Sequence, residues 1–201
     1  PPRGDYRRLF YLQRLGWIYT DLKKFKKARE VYAQGFREVA EVRAAAKAIY
    51  LPRELRYWEG LFKGNMAQCD IEMGHYKHVI PMLRFDIQSS IDNPDNQIGK
   101  EILLARALLH FKQYDSAKHY MDHARSLMAQ KVIMPVKLMM LDAYADFYAA
   151  QKQYDSAFYF NKALHAYQDT VNAHINRNKS ILLLGQLELA KHREESLKNK
   201  H

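Results

Sequence analysis

The chain has 201 residues, 48% hydrophobic and 27% charged, so it can bury a core and is too apolar to be disordered. A single cysteine, Cys69, excludes an internal disulfide, and no stretch approaches the ~20 apolar residues of a membrane span. The net charge is +10, of which the first fifty residues hold +7, with twelve basic against five acidic residues. Few prolines and glycines, and many tyrosines, phenylalanines and methionines, favour an all-α protein.

Apolar residues at helical spacing predict two helices in the first fifty residues. The first helix is predicted from Tyr6 to near Asp21. The second starts at Phe25 and continues for about seven turns. Pro52 cannot continue it and pushes Leu51 out of helical geometry, so a break is predicted at residues 50–53.

The next stripe of apolar residues predicts a third helix from Leu55 to Met73, with Gly74 as its stop. A fourth helix is predicted from Val79 to Ile87. The turn signal at residues 92–95 then separates it from the following helices.

The second half of the chain contains an internal repeat. Residues 113–117 read Gln-Tyr-Asp-Ser-Ala and recur at residues 153–157, each copy between two apolar helical stretches. A period of about 20–50 residues is typical of repeat arrays, in which each unit stacks on its neighbours to bury its apolar face. The sequence therefore predicts a stack of helix pairs.

Small residues recur where paired helices should touch, because a methyl group or a hydrogen lets two helix backbones approach closely. These positions are Gly16, Ala28, Ala105, Ala117, Ala145 and Ala157. Together with the aromatic residues between them, they resemble the tetratricopeptide repeat. The first unit carries the resemblance best, through Leu12, Leu15, Gly16, Tyr19, Phe25, Ala28, Tyr32 and Gly35.

The resemblance implies a right-handed α-α superhelix of about four helix pairs plus a C-terminal helix. We expect the array to span residues 1–170, with units at 6–50, 53–92, 97–131 and 135–168. A separate helix capped by Asp169 or Thr170 is expected over residues 170–201, with its first half packed on the fourth unit.

The junction at residues 168–172 and the charged helix after it resemble the end of the repeat region in bacterial membrane-anchored signalling proteins. This implies the sensory or protein-interaction part of a two-component sensor kinase or regulator, and dimerisation through the C-terminal helix. The start at Pro1 without a methionine indicates a piece of a longer protein, in which a membrane span could follow. A periplasmic location is favoured, with a cytoplasmic one as the alternative.

In a tetratricopeptide array the first helix of each unit lines a concave groove, where a protein or peptide partner would bind. The residues expected there are Gln13, Trp17, Asn65, Gln68, Glu72, Arg106, His110, Asp142 and Asp146. Trp17 has two possible roles: it anchors the partner, or it supports the neighbouring long helix.

We expect no enzyme activity, cofactor or metal in this chain, because it contains no catalytic or phosphate-binding motif. His119, His123 and Asp115 could share a helix face with a metal, but no fourth ligand is evident. Asp142 and Asp146 have the spacing of an acid/base pair, which an exposed helix face explains as well.

Two other functions stay open. A stand-alone assembly scaffold would have the same repeats. A nucleic-acid-binding regulator would use the basic cluster of Lys23, Lys24, Lys26 and Lys27. Nucleic acid is not favoured, because the array has no aromatic residues for base stacking that are clearly interleaved with its basic residues.

Overall fold

A computed structural model describes residues 2–45, 52–90, 93–128 and 134–198, except the side chains of Met134 and of residues 192–198. These residues form eight α-helices and no strand, as the all-α prediction requires. The helices are α1 Arg7–Asp21, α2 Phe25–Ala45, α3 Pro52–Glu72, α4 Val79–Ser89, α5 Pro94–His110, α6 Tyr114–Met128, α7 Met134–Ala150 and α8 Tyr154–Lys198.

Every helix packs against the next one along the chain, and α7 also packs on α5. This arrangement is a solenoid of four helix pairs, as predicted. The division into units at 6–50, 53–92, 97–131 and 135–168 stays a prediction, because helix bounds alone do not delimit repeats. The predicted continuation of the second helix toward residue 50 lies outside the described residues. Within the described ranges, none of the helices has the length and apolar character needed to cross a bilayer.

The turn inside each pair has the same backbone geometry. The second residue after the first helix has a positive φ, at Lys23, Gly74, Lys112 and Lys152. The next amide then donates to a carbonyl five residues earlier, for example from Gln113 N to the carbonyl oxygen of Leu108 at 2.9 Å. This left-handed helix ending commonly uses glycine, so three lysines at this position cost some stability.

Small residues lie at the helix contacts, as predicted. Ala28, Ala105 and Ala117 are fully buried. Ala157 is only half-buried, because no further described helix stacks on the last pair. The contacts between paired helices are therefore made through these methyl groups in the first and third pairs.

Two glycines are needed for close packing in the first half of the array. A Cβ at Gly16 would overlap the ring of Tyr32, and one at Gly35 would overlap the ring of Phe62. Both aromatic residues are buried, with Tyr32 3% exposed and Phe62 fully covered. Each glycine thus accommodates an aromatic ring from the helix packed against it.

The second pair, whose repeat pattern is the weakest in the sequence, uses glycines that the pattern did not identify. A Cβ at Gly60 would overlap the Ser89 side chain, and one at Gly64 would overlap the carboxyl group of Asp86. Here the small residues of α3 make room for polar groups of α4. The contact between α3 and α4 is close, as in the other pairs, but partly polar.

The prediction of a separate helix from Asp169 or Thr170 is wrong. The helix α8 runs from Tyr154 to Lys198 without a break, and the Thr170 hydroxyl donates to the carbonyl oxygen of Ala166 at 3.0 Å, inside the helix. The predicted packing of residues 170–185 on the fourth pair is also wrong, because residues 172–190 are exposed. A straight helix of 45 residues is about 67 Å long, so it extends well beyond α7.

Candidate recognition surfaces

Four predicted groove residues lie together on three odd-numbered helices. Nη1 of Arg106 in α5 lies 3.5 Å from Oε1 of Glu72 in α3. The charge of Arg106 also acts on Asp146 in α7, and Asp142 precedes Asp146 by one helical turn. These contacts place the four residues on one surface that crosses α3, α5 and α7. We call the surface of the odd-numbered helices that carries these residues the groove face.

The two carboxyl groups of α7 influence each other. Partial burial, and next the charge of Asp142, raise the pKa of Asp146, while Arg106 acts in the opposite direction. A carboxylate with a raised pKa is stabilised when a cation approaches it. This end of the groove face therefore favours a positively charged group of a partner.

His110 closes the groove face at the end of α5. Its ring is stacked on the ring of Tyr76, with centroids 3.8 Å apart and planes 7° from parallel. Tyr76 comes from the turn between α3 and α4, so the stack joins neighbouring helix pairs. His110 is exposed on its other side and is held in a fixed orientation.

Trp17 lies on α1, at the opposite end of the array from α7. Its side chain is 42% exposed, and the guanidinium carbon of Arg14 lies 4.4 Å from the ring centroid. The ring is therefore accessible to a partner, and its role as an anchor stays a prediction. Gln13 on α1 and Gln68 on α3 are half-buried.

Asn65 does not belong to the groove face, and its prediction as a groove residue is wrong. It is 8% exposed, and its side-chain oxygen accepts a hydrogen bond from Nζ of Lys100 at 2.6 Å. The Lys100 nitrogen lies 3.8 Å from Oδ2 of Asp86, which is fully buried. The Asn96 side chain donates to Asp86 Oδ1 at 3.0 Å. Asn65 is therefore part of a buried polar cluster that joins α3, α4 and α5.

The pKa values of the two charged groups of this cluster are shifted in opposite directions. Burial raises the pKa of Asp86, and burial lowers the pKa of Lys100, because desolvation disfavours each charged form. Their mutual attraction counteracts both shifts. Oδ2 of Asp86 has no hydrogen-bond donor among the described residues, so Lys100 is its main source of compensation.

A pocket that the sequence analysis missed lies where the first turns of α1 and α3 meet the end of α4. It has a volume of about 290 Å³ and is lined mainly by apolar surface. Four aromatic rings belong to its lining, those of Tyr6, Phe10, Tyr57 and Trp58. We call it the aromatic pocket. No sequence signal brings these rings together, because they come from two helices some fifty positions apart.

A second cleft, of about 590 Å³, lies between α2 and the turn that joins α3 to α4. Its basic lining residues are Lys26, Arg29, His75, Lys77 and His78. Arg29 is already paired, since its Nε lies 2.6 Å from Oδ1 of Asp70. Lys26 belongs to the basic cluster predicted from the sequence, whereas the contribution of the α3–α4 turn was not predicted. We call this cleft the basic cleft.

The histidine considered for metal binding is engaged with a neighbouring helix. Nδ1 of His123 lies 2.8 Å from Oε2 of the buried Glu101, so this histidine joins α5 to α6. Within the described part of the chain, no three potential metal ligands converge. Cys69 is fully buried, and burial raises the pKa of its thiol to about 11, so it behaves as a core residue.

No protein-family model matches the sequence, and no curated protein matches it. Solved structures are similar in fold, among them two from one source. One is a crystal structure of nearly identical TPR-like repeats from a Podosopora anserina protein assigned as a kinesin light chain. It has a TM-score of 0.50 and 12% identity, covering 82% of this chain and 96% of that chain. The other is a variant from the same source, with a TM-score of 0.50, 13% identity and coverages of 83% and 97%.

At this identity the similarity concerns the fold alone. It agrees with the four helix pairs described above, and the tetratricopeptide-like solenoid predicted from the sequence is confirmed.

Proposed function

We propose that this chain is a non-catalytic recognition module that binds a protein or peptide segment along the groove face. The observation that carries this proposal is the layout of that face. Exposed Trp17 lies on α1, Asp142 and Asp146 lie on α7, and α3 and α5 pack side by side between these helices. An exposed tryptophan and unpaired carboxylates are groups that contribute strongly to binding when a partner covers them.

The charges of the groove face suggest the chemistry of the partner. Arg14 and Trp17 form the first end, the Glu72–Arg106 ion pair lies in the middle, and Asp142 and Asp146 form the last end. An extended segment with an apolar or acidic group at one end and a lysine or arginine at the other complements this order. We therefore expect the partner's basic residue to lie against α7.

The wider context that we propose is the sensory or interaction region of a bacterial signal-transduction protein of the membrane sensor-kinase type. The length of α8 supports this context. The helix starts inside the last pair at Tyr154 and continues unbroken to Lys198. A change in the packing of α7 on α8 would thus be carried along a single rigid helix. Binding would shift such an equilibrium only if the partner prefers one arrangement. A periplasmic location accompanies this proposal.

We also propose that the extended part of α8 pairs with the same helix of a second copy of this chain. Seven large apolar side chains there are 44–65% exposed: Ile175, Ile181, Leu182, Leu183, Leu184, Leu187 and Leu189. Monomeric proteins rarely expose so many large apolar side chains close together in the sequence. Ile175, Leu182 and Leu189 recur every seven residues, which is the spacing of one of the two core positions of a coiled coil.

Light scattering over a range of protein concentrations tests the pairing. We expect a dimer, which Leu182→Gln weakens because the side chain lies on the seven-residue seam. Leu184→Gln is the matched control, because Leu184 is equally exposed but lies off that seam. A monomeric mass at every concentration contradicts the pairing.

A display selection with random peptides tests the groove proposal. The parent chain should select peptides that contain a lysine or arginine and lose affinity for Arg106→Ala and Asp142→Ala. Lys118→Ala is the control, because Lys118 lies on α6, away from the groove face. All three variants should keep the melting temperature of the parent. Peptides that bind the groove variants as tightly as the parent contradict the proposal.

One observation favours a second function, binding of nucleic acid through the basic cleft and the lysines beside it. The α3–α4 turn adds His75, Lys77 and His78 to Lys26 on one side of the array. This function predicts affinity that falls steeply with salt and is lost when Lys23, Lys24, Lys26 and Lys27 are neutralised. A stand-alone scaffold is the further alternative, and it would need the same groove face without an output domain.

A further inference from the structure

The aromatic pocket has the properties of a ligand site that is separate from the groove face. Its rings stand at steep angles to one another. The rings of Phe10 and Trp58 have centroids 4.7 Å apart at 78°, and those of Tyr6 and Trp58 are 6.0 Å apart at 86°. The ring of Tyr57 meets that of Trp58 at 71°. These are edge-to-face packing contacts with Trp58, which is 4% exposed, so the cavity is lined by the outer surface of a packed aromatic cluster.

The polar groups of these rings are already used inside the protein. The indole N–H of Trp58 donates to the hydroxyl oxygen of Tyr6 at 2.7 Å, and the Asn93 side chain donates to the hydroxyl oxygen of Tyr57 at 3.1 Å. The lining therefore offers a ligand mainly apolar ring surface. A ligand that needs many hydrogen bonds would not fit this surface well.

One carboxylate in the lining is available to a ligand. Glu54, in the first turn of α3, is exposed and has no hydrogen bond or ion pair with the described residues. Arg53 beside it is already engaged in an interaction of its own. Arg53 and Glu54 thus contribute opposite charges to the lining, of which the carboxylate is the one without a partner among the described residues, and aromatic faces attract positive charge.

We propose that the aromatic pocket binds a small alkylammonium group of about the size of trimethylammonium. The methyl groups would lie against the rings, and the positive charge would be stabilised by the ring faces and by Glu54. The volume of about 290 Å³ accommodates one such group rather than a large ligand. A free quaternary amine and a methylated lysine side chain share this chemistry. The inference goes beyond the proposed function, because the groove face does not include the aromatic pocket.

Nuclear magnetic resonance of the ¹⁵N-labelled chain provides the test. Choline and its uncharged analogue 3,3-dimethyl-1-butanol have nearly the same shape and differ in charge. We expect choline to shift the indole N–H signal of Trp58 along a saturating curve, with the neutral analogue binding about ten-fold more weakly. The indole signal of Trp17, which does not line the aromatic pocket, should stay in place as the internal control.

Variants identify the groups that bind the cation. Phe10→Ala and Glu54→Gln should each weaken choline binding several-fold. Phe111→Ala and Glu41→Gln remove an exposed ring and an exposed carboxylate outside the pocket, and they should have no effect. Phe10 is 53% exposed, so its removal should leave the fold intact. If Phe10→Ala unfolds the chain, Glu54→Gln decides the result.

A peptide containing trimethyllysine, compared with the same peptide containing unmodified lysine, distinguishes the two sources. Tighter binding of the methylated peptide than of choline assigns the pocket to a protein partner, and the reverse assigns it to a free amine. Either result supports the proposal. Equal binding of choline and the neutral analogue overturns it, as does a Trp58 signal that millimolar choline leaves unchanged. These outcomes do not affect the groove selection, which depends on Arg106 and Asp142.

Discussion

Replacing Lys100 by methionine should strongly destabilise the array. Lys100 is 5% exposed and Asp86 is fully buried, with Lys100 Nζ 3.8 Å from Asp86 Oδ2. Methionine fills a similar volume but leaves the Asp86 carboxylate buried without its cation. Removing one partner of a buried ion pair costs about 3–5 kcal/mol. In a chain of this size, losing about 1 kcal/mol of unfolding free energy lowers the melting temperature by about 2–4 °C. The melting temperature should therefore fall by roughly 6–20 °C.

The destabilisation of Lys100→Met should depend on pH. Burial raises the pKa of Asp86, and the substitution removes the cation that counteracts this shift, so the pKa rises further. A raised pKa in the folded state means that the protonated folded form is favoured. The loss of stability should therefore be smallest at a pH below the ordinary carboxyl pKa of 3.8. It should grow as the pH rises through the raised pKa of Asp86.

Urea and thermal melts across this pH range measure the effect. Lys118→Met is the control, because Lys118 is half-exposed and pairs with Asp122 at the surface, where such a pair contributes about 0–1 kcal/mol. Adding Asp86→Asn to Lys100→Met should recover part of the loss at neutral pH. A Lys100→Met chain that is as stable as the parent at pH 7, or whose loss does not vary with pH, refutes the reasoning.

Three further predictions follow from the fold and the groove face. Ala117→Arg should unfold the third and fourth pairs in a circular-dichroism melt, because it overpacks a helix contact and buries a charge; an unchanged melt contradicts the packing. Lys112→Gly should raise stability by about 1 kcal/mol, and Gly74→Ala should lower it by about as much, because both positions have positive φ; opposite signs in urea melts contradict this. Binding of a basic peptide should weaken as the pH falls through the raised pKa of Asp146, and Asp146→Asn should flatten this dependence in calorimetric titrations.

The internal repeat made the solenoid predictable from the sequence. The copies that end at Ala117 and Ala157 each lie between two apolar helical stretches. A common helix-pair structure was therefore the simplest explanation. Gly16 and Ala28 followed from the same reasoning, because close helix contacts require small residues. The glycines of α3 were not predicted as contact positions, because they accommodate Ser89 and Asp86 rather than a repeated aromatic residue.

The end of the array was not predictable from residue types. Asp169 and Thr170 are good caps for a new helix, but the same residues are tolerated inside a helix that is already formed. In the structure the Thr170 hydroxyl bonds within α8. The sequence between Tyr154 and Leu184 contains no proline or glycine to interrupt the helix. The helix therefore continues because no residue interrupts it, although residues suited to cap a new helix are present.

The groove face was partly predictable, because helical spacing assigns a side to each residue. The assignment by helical spacing failed for Asn65, whose partner Lys100 lies thirty-five positions away on another helix. A polar residue that bonds inside the core has the same sequence pattern as one that faces a ligand. The aromatic pocket was not predictable for a related reason, since the angles between Phe10, Tyr57 and Trp58 depend on how α1 and α3 pack.

Amide hydrogen exchange of the full chain, with and without a selected basic peptide, tests the central claim most directly. The claim is that recognition occurs on the face formed by the odd-numbered helices. We predict that the peptide slows exchange in α1, α3, α5 and α7, most strongly around Arg106 and Asp142, and leaves α2, α4 and α6 unchanged. Protection confined to the even-numbered helices would contradict the claim.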